Sequence, residues 1–558
     1  MLSAGVVYTS ILSFLLWSSW LRSTHGPLHI DPLPKYMQAP SQGHAPAYPT
    51  TGNQSAVSCE VDMCSYAGMY LLEQGGSAAD AAIGAALCVG VVDSFHSGIG
   101  GGGFALIKEP GQDPAVVDYR EVAPQAAHRD MYKNKHVNAS LFGGLAVAVP
   151  GEVRGYEAMH ARYGKLPWSA LFEPAITIAR RGFLAPKQLA LVVQFVGQPL
   201  CMLPWMQPHF CPNGQLLRTG EQVRFPALAD TLARIAAHGP DTMYTGEFAD
   251  RMVKSAAIAG GILTHDDLAS YRAEFRNATY IDYQDQYRVW TVPAPASGVT
   301  LLSALRTMEN YPSVPYSEHD ALWTHRLIES AKFAYGEHSR YGDPAFVSGV
   351  RAMEAASISV AHGKARYHQI NDTHVLPLDA YDPAHDDIQT SKGTSHLNAV
   401  DADGLAVSMT TTINTFWGSF VQTPDGITMN NGMNDFGVPG VPNNFGYVPS
   451  PANFIVGGKR PLSSMCPYMI QDGDALAVIG GSAGGSRIIT ANLQIAYAYL
   501  SSRGKVALQD AIARPRWHDQ LLPPVTLFEQ ALPNFDIPFT DYDNRYAFPL
   551  LTSALSHS

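Results

Sequence analysis

The sequence predicts a mixed α/β fold built in layers, and three observations carry that reading. Residues 61–91, VDMCSYAGMYLLEQGGSAADAAIGAALCVGV, read as two helices broken at Gly75-Gly76, the second rich in alanine and so suited to close packing. Residues 145–345 are mostly helical in pattern, as in EVRGYEAMHARYG and HRLIESAKFAYGEHS. From Thr394 onward short alternating strands dominate, in LAVSMTTTI, GITMN and ALAVIGG, with one later helix around SRIITANLQIAYAYLSSRG. Strands near both ends with helices between them point to one layered fold rather than to two independent domains. The length of 558 residues is enough to bury a large core. Only 15% of residues are charged, below the roughly 25% of an ordinary soluble domain, which suits an enzyme with many buried elements. A net charge of -11 without any Lys/Arg run excludes a phosphate-tracking surface, so no nucleic-acid partner is expected.

The first 26 residues contain an apolar stretch from Gly5 to Leu21, near the lower limit for crossing a bilayer, and read as a signal peptide or a signal anchor. Residues 27–55 are linker-like, rich in proline and small polar residues. Four Asn-x-Ser/Thr sequons, at Asn53, Asn138, Asn277 and Asn371, support passage through the secretory pathway to an extracellular or membrane-anchored site. The six cysteines have neither CxxC nor His/Cys metal spacing, and an oxidising compartment permits one or two loop-closing bridges.

Two glycine motifs need weighing. GIGGGG at 98–103 fits G-x-G-x-x-G, but FALIKEPGQ after it reads as a strand and turn where a dinucleotide site needs a helix; close strand packing explains these glycines better. GGSAG at 480–484 lies between a strand and a helix, the setting of a nucleophile elbow at Ser482. Its partners would have to be Asp510 and His518, crowded into a short tail, and that argues against a serine triad. The segment TSKGTSHLNAVD at 390–401 places Thr394 at a loop-to-strand border, ahead of a half-buried hairpin turning at Asp403-Gly404.

These stretches occur together with REVAP, GGLAVAVPGEVRGYE, YGKLPW, TTINTFWGS, PSPANF, KRPLSSMCP, GSAGGSRI and PRWHDQLLP, in a fixed order from about Cys64 to Glu529. The set resembles the γ-glutamyltransferase family, the glutathione hydrolases. The resemblance implies an N-terminal-nucleophile hydrolase fold, a four-layer αββα sandwich, cut by its own chemistry between Gly393 and Thr394 into a large subunit (56–393) and a small one (394–558). Thr394 would then carry both the nucleophilic hydroxyl and, as a new α-amine of reference pKa about 7.7–8.0, its own base. By the same resemblance Thr412 hydrogen-bonds the nucleophile, and Asn414 and Asp435 meet the substrate's α-amino end. Arg120, Ser463 and Ser464 hold its α-carboxylate, and Gly484 and Gly485 face the oxyanion. Cys64–Cys88 and Cys201–Cys211 are the implied disulfides. The implied donors are glutathione and other γ-glutamyl compounds and the implied acceptors are water, an amino acid or a dipeptide; no cofactor or metal is implied.

The chain departs from the family in three places. Gly432 replaces a Glu or Gln, Asn434 replaces an Asp, and the tail from about residue 530 matches nothing in the family. Gly432 raises the alternative of an amidase or acylase with altered acyl specificity, and the tail that of an inactive homologue acting as a binding protein.

Overall fold

The computed structural model describes residues 55–312, 321–382, 384, 386–387, 393–440 and 448–529, together with the isolated Pro34 and Met37. The N-terminal apolar segment, nearly all of the linker, Asn53 and the tail from residue 530 lie outside the described residues. Of two compact units, Met1–Pro46 and Ala47–Ser558, the second contains every element below.

In chain order the sheet strands are β1 (Ala56–Cys59), β2 (Gly102–Lys108), β3 (Ala115–Asp118), β4 (Glu274–Asn277), β5 (Thr279–Tyr283), β6 (Tyr287–Thr291), β7 (Ser395–Val400), β8 (Ala406–Thr412), β9 (Tyr468–Asp472) and β10 (Ala475–Gly480). The helices that cover them include α1 (Asp62–Glu73), α2 (Ala78–Val92), α3 (Trp168–Arg181), α4 (Gly298–Met308), α5 (Ala321–His338) and α6 (Arg487–Ser501). Six strands form one antiparallel sheet in the order β1-β7-β8-β2-β3-β4, and four form a second in the order β10-β9-β6-β5.

The two sheets meet face to face through Phe104 and Leu106 of β2, Val116 of β3, Ala406 of β8, Trp290 of β6 and Met469 of β9. Fully burying side chains such as Phe104 and Leu106 contributes about 1.5–3 kcal/mol each. Helices α4, α5 and α6 cover the outer face of the second sheet through a large apolar cluster that includes Leu301, Leu327 and Leu493. On the other side α2 packs on β7 and β8, and every one of its residues is buried. Alanine and glycine along it permit that close approach. Its start is fixed by a capping box in which the Ser77 hydroxyl accepts from Asp80 N–H and the Asp80 carboxylate accepts from Ser77 N–H. The layering is therefore αββα.

The helix pair broken at Gly75-Gly76 is present as α1 and α2, joined by the Cys64–Cys88 disulfide; Cys201–Cys211 is the second bridge. Three differences from the sequence reading stand out. The helical stretch 145–345 contains β4, β5 and β6, short strands of four or five residues in EFRNATYIDYQDQYRVWT. GITMN is not a strand; a lone bridge, Gln422 to Thr428, is all it forms. The β7–β8 hairpin is buried on both faces rather than one, because the second sheet and α2 enclose it. Among the described residues no helix is long and apolar enough to cross a membrane. Of the sequons within them, Asn277 is exposed and Asn138 and Asn371 are half-buried.

Candidate active site

The register of the first sheet assembles the centre of the site. Ser395 of β7 pairs with Thr411 of β8, so Thr394, one residue earlier, lies opposite Thr412 at the open end of the ladder. The Thr412 hydroxyl donates to the Gly393 carbonyl at 2.7 Å and accepts from the Asn414 N–H at 2.8 Å. Gly393 has φ +102°, and a Cβ there would overlap the Asn414 carbonyl oxygen, so two independent constraints require glycine before Thr394. The glycine run behind β8 answers a similar demand. At Gly101 and Gly103 a Cβ would run into the Thr412 and Thr410 carbonyls, which is close strand packing and no nucleotide loop.

The turn between β10 and α6 completes this centre. Gly484 and Gly485, both at positive φ, aim their backbone N–H groups at Thr394 Oγ1, at 3.1 and 3.2 Å. Thr394 is 5% exposed, so its hydroxyl is largely screened from water while held by two donors. Ser482 in the same turn donates to the Ile488 carbonyl. His518 has both ring nitrogens engaged, with Thr490 and Gln520, so the serine-triad geometry is not formed.

Arg120 follows β3 and is fully buried, held by Glu121 at 2.8 Å and by Asp435. Tyr271 fixes the backbone by donating its hydroxyl to the Arg120 carbonyl at 2.7 Å. Asp435 also receives a hydrogen bond from Asn414, whose amide donates to the Asn431 carbonyl, so Arg120 connects through Asp435 and Asn414 to Thr412 and the Gly393–Thr394 bond. Two carboxylates thus surround one guanidinium. Burial pushes both Glu121 and Asp435 above the ordinary carboxylate range, against the opposing pull of Arg120. Arg120 Nε and Glu121 Oε1 have no partner although both are buried. Such a site can accept a zwitterion, whose carboxylate meets the guanidinium and whose ammonium offsets the surplus negative charge.

Ser463 and Ser464 lie in the segment leading into β9. Ser463 is anchored by its N–H to the Pro295 carbonyl and its hydroxyl accepts from Met465 N–H. Among the described residues no hydrogen bond joins either serine to Arg120 or Thr394. Asn434 accepts from the Ser140 hydroxyl. Gly432 sits beside Glu121: a Cβ there would lie 3.5 Å from Glu121 Cβ and 3.2 Å from Asn430 Oδ1. Glu121 and Tyr271 escaped the sequence reading as site residues. Glu121 is adjacent to Arg120 in REVAP and was within reach of it; Tyr271 lies 151 residues away and gives no local signal.

Comparison with known proteins agrees with this architecture. The Gamma-glutamyltranspeptidase family model matches residues 64–537. A glutathione hydrolase proenzyme of Arthroderma benhamiae is 40% identical over 89% of this chain and 87% of its own. A glutathione hydrolase of Aspergillus flavus is 41% identical over 87% and 82%. Among solved structures, a cephalosporin acylase from Bacillus halodurans superposes with a TM-score of 0.73 at 26% identity, covering 91% of each chain. With an αββα core whose central hairpin presents Thr394 to two glycine N–H groups, and with relatives at this identity over most of its length, the chain belongs to the γ-glutamyltranspeptidase family.

Proposed function

We propose that this chain is a proenzyme that cuts itself between Gly393 and Thr394 and then cleaves γ-glutamyl amides such as glutathione, passing the acyl group to water, an amino acid or a dipeptide. The observation that carries the reading is the double grip on one peptide bond: Thr412 donates to the Gly393 carbonyl while Gly484 and Gly485 hold the Thr394 hydroxyl. In self-cleavage Thr394 Oγ1 attacks the Gly393 carbonyl carbon, whose developing negative oxygen is met by the Thr412 hydroxyl. The C–N bond breaks, the hydroxyl proton passes to the amide nitrogen, and an ester remains that water hydrolyses. The freed α-amine then serves as base for the same hydroxyl.

In turnover Arg120 takes the α-carboxylate of the donor, with Ser463 and Ser464 alongside, and Asp435 and Asn414 meet its ammonium. Thr394 Oγ1 attacks the γ-carbonyl, and the Gly484 and Gly485 N–H groups stabilise the charge that develops on its oxygen. The leaving amine departs with the proton, and an acceptor releases the acyl group. The relatives' names support this reading, as does the surplus carboxylate beside Arg120. Two disulfides and three sequons within the described residues support a secretory location. A denaturing gel of the purified protein tests the first step: two fragments divided near residue 393 are expected, and a single full-length band means no live nucleophile.

A second reading, an acylase with relaxed acyl choice, rests on Gly432. Gly432 offers no side-chain group to the donor's ammonium, and a hydrogen bond to a charged group is worth about 1.5–3 kcal/mol. At Gly432 a Cβ alone requires the Asn430 amide to give by a few tenths of an ångström. Gly432→Glu is expected to raise the preference for γ-glutamyl over glutaryl anilides by about 10- to 100-fold in kcat/KM. A wild-type enzyme that already prefers γ-glutamyl a thousandfold (about 4 kcal/mol), with no gain from Glu, rules this reading out.

A further inference from the structure

A second cluster of chemical groups lies behind the Gly393–Thr394 bond, and nothing in the reaction above uses it. Glu60 follows β1, Asp93 closes the C-terminal end of α2, and His96 lies three residues further on. Each offers one oxygen or nitrogen atom within 4.8 Å of the others, and His96 Nε2 is 3.4 Å from Glu60 Oε1. The cluster touches the junction directly. His96 accepts through its carbonyl from Ile413 N–H at 3.0 Å, its Cβ lies 3.6 Å from where a Cβ on Gly393 would sit, and the Ser395 hydroxyl faces Glu60.

Satisfied core residues do not look like this. Asp93 is 0% exposed and His96 3% exposed, yet both carboxylate oxygens of the first and both ring nitrogens of the second lack a hydrogen-bond partner, as does Glu60 Oε1. Buried polar atoms are nearly always paired, and five orphans on three neighbouring residues, one atom of each within 4.8 Å of the others, indicate a missing partner that accepts lone pairs. Among the described residues no Lys or Arg forms an ion pair with the three. Nearby Cys59 is occupied, its thiol donating to the Val61 carbonyl and meeting the Ser65 hydroxyl.

We propose that Glu60, Asp93 and His96 bind one divalent transition cation, with zinc the best match, beneath the strand that carries Thr394. One imidazole nitrogen and two carboxylate oxygens suit zinc, which binds them at about 2.0–2.2 Å. Tetrahedral ligands at that radius stand roughly 3.3 Å apart, close to the His96–Glu60 spacing; Asp93 has to close in. Calcium, which takes six to eight oxygens, is poorly served. Water or the Ser395 hydroxyl fills the remaining position. Ligation requires a free imidazole lone pair and ionised carboxylates, so an arriving cation displaces whatever protons these groups carry. All three ligands precede residue 393 and Ser395 follows it, so a cation that takes Ser395 as its further ligand would fasten β1 and α2 to the strand of the nucleophile whether or not the chain has been cut.

Untagged, chelator-stripped protein is titrated with zinc chloride by calorimetry near pH 7 in two buffers of different ionisation enthalpy. The expected result is one equivalent bound per chain, with a buffer-dependent heat that reports proton release. Asp93→Asn and Glu60→Gln should each weaken Kd by at least about tenfold. Because either variant could misfold, cobalt is added to the wild-type protein in parallel, where a bound tetrahedral ion gives strong visible d–d absorption. Absence of saturable zinc binding and of the cobalt spectrum overturns the proposal. So does stoichiometric binding that is undiminished in both folded variants.

Discussion

Thr394→Ala is expected to yield one uncut chain and to lower kcat by at least about 10⁴-fold, the scale of losing a nucleophile. One hydroxyl is positioned for both attacks, and the neighbouring hydroxyls among the described residues are committed elsewhere: Thr412 donates to the Gly393 carbonyl, Ser482 is bonded to the Ile488 carbonyl and Ser395 points toward Glu60. Removing Oγ1 also leaves the Gly484 and Gly485 N–H groups without their acceptor. Thr394→Ser restores the oxygen and should recover part of both activities. The assay is a denaturing gel beside γ-glutamyl anilide turnover. Normal two-fragment protein from the alanine variant would place the cleavage chemistry elsewhere.

Arg120→Lys is expected to raise KM for γ-glutamyl donors by about 10- to 100-fold while self-cleavage proceeds. Arg120 bridges Glu121 and Asp435 with separate nitrogens and keeps Nε free, a planar fork that can hold two acidic partners and still address a carboxylate. A lysine ammonium is a single point charge on a flexible stem, and losing one charge-assisted hydrogen bond costs about 1.5–3 kcal/mol. Processing should survive because Gly393 is held by Thr412 and not by Arg120. Initial-rate kinetics of the matured variant decide it, and an unchanged donor KM removes Arg120 from carboxylate binding.

Local signals were enough for part of this structure. The Gly75-Gly76 break announced α1 and α2, and the Asp403-Gly404 turn announced the hairpin that carries Thr394. Strands β4 to β6 were hidden because they are only four or five residues long and lie inside a stretch whose other segments follow helical periodicity, so a short alternation does not stand out. The relation of Thr394 to Thr412 depends on strand register, which a hairpin with a short turn specifies. The pairing of Arg120 with Asp435 spans 315 residues and is set by tertiary packing alone. Glu60 stands 33 positions before Asp93, with no metal-type spacing, so that cluster has no signature in the sequence.

The order of strands in the first sheet has a consequence for the life history of the molecule. β7 and β8 lie downstream of residue 393, yet they are inserted between β1 and β2, which lie upstream. Once the Gly393–Thr394 bond is cut, two separate polypeptides share one hydrogen-bonded ladder, and neither can leave without unzipping both borders and opening the interior between the sheets. Folding of the intact precursor is a unimolecular event, whereas reassembly after denaturation of the cut form requires two chains to find each other and becomes concentration-dependent. If the chain cuts itself as proposed, the precursor acts as its own assembly template, and the cut discards that template after one use. On the proposed self-cleavage, the cut form would be held in place by topology, and its working lifetime would be set by a rate of unfolding rather than by an equilibrium.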